Sequence, residues 1–94
     1  MTALILLGVE SAEQASEEKA VCVVRCLGHQ VSVGDVLSTA IFEDGTSMKV
    51  DLRIVAILRY ERPVGLLDPP HSAKLELAGT GELGGVRELH GDPR

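Results

Sequence analysis

The run "KVDLRIVAILRYER", residues 49–62, alternates. Val50, Leu52, Ile54, Ala56, Leu58 and Tyr60 fall on one face with period two, while Asp51, Arg53, Arg59 and Glu61 mark the opposite face as wet at both ends. Val55 and Ile57 interrupt that wet face near its middle. A long strand covered on both sides only at its centre is what a barrel produces when a strand bends round a corner or passes beneath a neighbour. Read as a helix, the same run would scatter its apolar residues all round the axis, so it is read as a strand.

Beyond it, Pro63 cannot donate to a ladder and marks a break or an edge. "VGLL" then leads into "DPPH", residues 68–71, a stiff turn. "SAKLELAG", residues 72–79, alternates most cleanly, with Ala73, Leu75 and Leu77 expected inside and Lys74 and Glu76 outside. From Thr80 onward the chain carries four Gly and few apolar residues. Residues 80–94 are therefore expected to be a flexible Gly-rich tail, with Val86 and Leu89 docking weakly on a single domain of residues 1–79.

In the other direction, "VLSTAIF", residues 36–42, is a β-prone run bounded by two corners. Asp44-Gly45 between two such runs is a strong hairpin signal. Gly34-Asp35 redirects the chain, because Gly takes positive φ without a Cβ clash and the Asp side chain can bond nearby backbone. "VSV", residues 31–33, precedes that corner, and "VCVVRCL", residues 21–27, is a strand dense in Val and ended by Gly28. "MTALILLGV", residues 1–9, has no basic leader and is too short to span a bilayer, so residues 3–9 are read as a first strand and the protein as cytoplasmic. Two readings stand for "ESAEQASEEKA", residues 10–20. Ser11 and Gln14 have the form of a capping box, which favours a short helical turn over 11–19; the lack of an apolar stripe favours an acidic loop.

Composition narrows the function. A chain of 94 residues is one domain. With one Phe, one Tyr and no Trp, its core must be aliphatic and it cannot build the aromatic platform on which single-stranded nucleic acid is usually stacked. Nine Lys and Arg against fourteen Asp and Glu give a formal charge of −5, which repels a phosphate backbone at long range and argues against DNA as a partner. Six or so short strands, joined by Gly and Pro turns, define an all-β fold: a small antiparallel, Greek-key-like closed barrel.

Three segments, in order, resemble the second, β-barrel domain of translational GTPases such as elongation factor Tu and initiation factor 2. "GHQVSVGDVL", residues 28–37, is similar to the family's Val-Gly-Asp/Glu corner; "IVAILRYERPV", residues 54–64, to its central strand; "DPPHSAKLELAGTG", residues 68–81, to its turn and following alternating strand. The resemblance covers roughly residues 20–81, with one extra residue between Gly28 and Val31 and with Pro69 and Pro70 where the family usually has Gly. It implies a translation-protein-like barrel that holds an RNA end or a ribosomal surface beside a GTPase. The chain itself has no G-x-x-x-x-G-K-[ST] loop and no Asn-Lys-x-Asp, so GTP hydrolysis is not expected of it.

The expected role is therefore a non-enzymatic binding or adaptor module for a protein or ribonucleoprotein partner, with no cofactor. Arg53, Arg59 and Arg62 with Tyr60 are the candidate binding residues, since they form the one basic cluster with an aromatic neighbour and alternation sets Arg53 and Arg59 on one face to grip a phosphate or carboxylate. The competing arrangement pairs these Arg with Glu43, Glu61 or Asp51 across the sheet. Glu10, Glu13, Glu17 and Glu18 read as a solubilising surface. His29, His71 and His90 read as solvated turn and tail residues; a small-molecule-binding or hydrolytic barrel using His71 and neighbouring acids is the alternative, and a self-associating structural protein is another. Cys22 and Cys26, four apart on one strand, would have Cα atoms ~13 Å apart, beyond disulfide reach, and lack zinc-ligand spacing; both are expected to be small buried hydrophobes, with no metal.

Overall fold

A computed structural model describes residues 4–92. Ala3, where the first strand was expected to start, and Pro93 and Arg94 of the expected tail lie outside them. The regular structure is all strand: β1 (Ile5–Ser16), β2 (Lys19–Cys26), β3 (Val31–Ser32), β4 (Val36–Phe42), β5 (Ser47–Arg59), β6 (Arg62–Val64), β7 (Leu66–Leu67), β8 (Ser72–Thr80) and β9 (Val86–Asp92). Six of them close into a barrel in the order β4-β9-β1-β2-β8-β5, with β5 pairing back onto β4 and every pairing antiparallel. β6 flanks the C-terminal end of β5, and β3 with β7 makes a separate two-stranded ribbon.

Alternation places the aliphatic side chains inside. Ile5 and Leu7 of β1, Cys22, Val24 and Cys26 of β2, Leu52 and Ile54 of β5, and Ala73, Leu75 and Leu77 of β8 are buried in one core cluster. Val31 and Leu67 of the small ribbon join the same core. Both cysteines are free thiols within it, not joined in a disulfide, and burial pushes the Cys22 thiol up to about 12. Burial, with the nearby Asp68 charge, also raises Cys26, whose Sγ donates to the His29 carbonyl at 3.3 Å.

The Gly34-Asp35 corner locks β5 in place. Gly34 sits at φ 99° and its N–H donates to the Ile54 carbonyl at 2.8 Å, while the Asp35 carbonyl accepts from Ile54 N at 2.9 Å. The Asp35 carboxylate is buried and reaches backward, accepting from Ser32 N at 2.9 Å. A buried carboxylate is tolerable only with such partners.

Three expectations need correction. No helical turn forms over 11–19. Instead β1 runs through Ser16 and pairs with β2 from Leu7↔Cys26 to Ser16↔Lys19, Glu17 and Glu18 making the turn. Gln14 does not close a capping box: its Nε2 donates to the Ser16 carbonyl at 2.8 Å and the Lys19 carbonyl at 3.3 Å, across that turn. Helix propensity alone, with no apolar stripe, loses to the ladder offered by the Val-rich β2.

Residues 80–94 are not a flexible tail in their described part, because β9 is a barrel stave paired with β1 on one edge and β4 on the other. Leu89 is fully buried there. Gly91 lies so close to β4 that a Cβ added to it would collide with the Val36 carbonyl.

Period two also fails within β5. A bulge between Ile54 and Ala56 leaves Val55 as the extra, exposed residue, so Ile57 turns inward and Tyr60 is exposed. The bend expected near the middle of this strand is that bulge.

Gly91→Ala is expected to lower stability by about 1–3 kcal/mol, as overpacking against backbone does. Urea unfolding measures it; an unchanged midpoint would mean that β9 does not lie against β4.

Candidate functional site

Antiparallel pairing sets β2, β8 and β5 side by side, and their outer face bears a groove of about 740 Å³. The register builds it. Lys74 of β8 lies opposite Val23 of β2 on one side and Leu58 of β5 on the other, and Arg25 lies opposite Ser72. Val23, Arg25 and Lys74 point outward because Cys22, Val24, Ala73 and Leu75 take the inward positions. The row therefore alternates apolar, cationic and apolar side chains across three strands.

Two turns wall the groove. Pro70 and His71 form one side, His71 Nδ1 donating to the Asp68 carbonyl at 3.2 Å. The other is the β5–β6 connection, Tyr60 and Glu61, with φ of 52° and 63°. Two successive residues with positive φ give the tight hairpin turn whose twist suits flanking strands, a position that normally takes Asn-Gly. Side chains with a Cβ are strained there. Tyr60 is 89% exposed at the rim.

Arg59 enters from the end of β5. Its Cζ lies 5.6 Å from the Tyr60 ring centroid, a cation–π contact. Its Nε is buried and has no hydrogen-bond partner among the described residues. The groove thus carries three cations, Arg25, Arg59 and Lys74, against one carboxylate, Glu61, on a chain whose formal charge is −5.

Of the candidate binding residues, Arg59 and Tyr60 line the groove, while Arg53 and Arg62 do not. The bulge at Val55 is the reason for the first separation: it inverts the alternation, so Arg53 and Arg59 no longer share a face. Arg53 lies between Val36 of β4 and Ala78 of β8, and Arg62 sits on β6. The expected pairing of these Arg with Glu43, Glu61 or Asp51 is not seen; among the described residues the closest such contact is the hydrogen bond of His90 Nε2 to Glu88 Oε1 at 3.0 Å.

Arg25 and Lys74 were not singled out as ligand-binding residues, and His71 was named only for the alternative of a small-molecule-binding or hydrolytic barrel. Each reads as an ordinary outward residue of its own segment. What joins them to Arg59 is the β2–β8–β5 register, which no local pattern states.

No family profile and no curated protein matches the sequence. Among solved structures, the chain is similar to translation elongation factor SelB from Methanococcus maripaludis in its apo form, with a TM-score of 0.72 and 13% identity over 95% of this chain. The chain spans 19% of that protein's length. The likeness is one of fold: this chain is a closed six-stranded antiparallel barrel of the translation-factor type. Among the described residues no helix is long and apolar enough to cross a membrane.

Glu61→Gly is expected to raise stability by up to about 1 kcal/mol, since Gly meets no Cβ penalty at positive φ, whereas the β-branched Glu61→Val should lower it. Thermal or urea unfolding reads the sign; a Gly variant less stable than the parent would contradict the left-handed turn.

Proposed function

We propose that the chain is a non-enzymatic binding module of the translation-factor barrel type, cytoplasmic, which contacts a protein or an RNA-containing assembly through the β2–β8–β5 groove. The observation that supports this reading is the basic groove on an acidic protein. Cations gathered from three strands, with few local acids to neutralise them, form a positive concavity that favours an anionic surface on the partner. Arg59 and Arg25 offer planar forks suited to carboxylate or phosphate, Lys74 a point charge, and Tyr60 an apolar face.

The alternative of hydrolysis at His71 lacks support from the geometry. His71 Nδ1 is bonded to a backbone carbonyl, not to a carboxylate that would orient it as a base, and it makes no hydrogen bond to Ser72 among the described residues.

Titration of the labelled chain at low salt with tRNA, with ribosomal RNA fragments and with acidic proteins, followed by amide chemical shifts, tests the reading. Shifts should cluster on Arg25, Arg59 to Glu61 and Ser72 to Lys74, and should weaken as salt is raised. Shifts confined to another face, or none with any polyanion, would overturn it.

A further inference from the structure

The surroundings of the groove distinguish between kinds of anionic partner. Along the same outer face the charge changes sign. Glu76, two residues beyond Lys74 on β8, points outward opposite Val21 of β2 and Ala56 of β5. The adjoining depression, bounded by Lys74, Val21 and Val23, includes Glu13 of β1. The positive surface is therefore short and is closed off by carboxylates. It spans three strands, a width of ~10 Å at the usual ~4.8 Å spacing, which three or four residues of an extended peptide would cross.

A nucleic-acid strand suits this pattern poorly. Its evenly repeated phosphates would leave the cations for Glu76 and Glu13 within a few nucleotides, and Tyr60 is the one Tyr, Phe or Trp ring lining the groove for stacking. The groove also has apolar surface that phosphates do not use: Val23, Leu58 and Pro70. Carboxylates interleaved with an apolar anchor would use both features, the acids meeting Arg25, Lys74 and Arg59 while the anchor covers Leu58 and the Tyr60 ring.

We infer that the groove takes a short extended segment of a protein partner in which two or more Asp or Glu flank an aliphatic or aromatic residue. This rests on the reading of the groove as the module's contact surface and names the chemistry of what fills it.

Selection of the full chain against a displayed library of random octapeptides tests the inference, with the Arg25→Glu and Lys74→Glu variants as counter-selection. Both positions are exposed, and retention of the dispersed amide spectrum shows that each variant keeps its barrel. Enriched peptides should carry paired carboxylates about an apolar residue. A synthetic peptide of the enriched composition should bind about tenfold more weakly to either variant, the scale of losing one charge partner. Decauridylate at the same ionic strength should bind at least tenfold more weakly than that peptide. Enrichment of basic or uncharged peptides, or binding indifferent to both variants, would overturn the inference. Tighter binding of decauridylate through Arg25 and Lys74 would overturn it too, yet leave the binding module standing; failure of every polyanion to reach the groove would remove both.

Discussion

The fold depends on β4 being paired along both edges. β9 occupies one edge and β5 the other, and that pairing turns a curled sheet into a ring with no free edge among its six staves. A small aliphatic core tolerates no gap in its wall, so each local oddity of the chain serves closure. Gly91 lets β9 approach the Val36 backbone. The Gly34-Asp35 corner fastens the entry of β4 to Ile54, and the bulge at Val55 bends β5 so that Ile57 rejoins the core after the turn of the wall.

The groove lies on three neighbouring staves of the same ring. Only when β8 lies between β2 and β5 does Lys74 stand between Val23 and Leu58, with Arg25 alongside. Arg59 and the Tyr60-Glu61 turn line the groove from the end of β5. The strain of two left-handed residues is borne where an aromatic ring is displayed, and such strain is often found where a surface has work to do.

Much of the architecture could be read from residue pattern. "SAKLELAG" holds its alternation, polar outward and aliphatic inward, and "VLSTAIF" forms β4 over the expected residues, although a register shift between Leu37 and Thr39 breaks its period so that Leu37 and Ala40 are the buried pair. What could not be read has a physical cause in each case. Glu10 to Gln14 form a strand through backbone pairing while their side chains stay exposed, so no alternation announces them. In β9 the register shifts where Ile41 and Phe42 meet Glu88 and Val86, and the inward position at Gly91 has no side chain to signal burial. The basic groove was half legible: Arg59 and Tyr60 sit in one conspicuous run, but Lys74 joins them through its pairing with Leu58 on β5, and Arg25 through its pairing with Ser72 on β8, far away in the sequence.

The closed ring is tested most directly by cross-strand proton contacts in the NMR spectrum of the chain. Leu89 should show nuclear Overhauser contacts to Leu7 of β1 on one side and to Ala40 of β4 on the other, since it stands opposite both. Contacts to one of them alone, or random-coil shifts throughout residues 86–92, would mean an open sheet and contradict the closed ring.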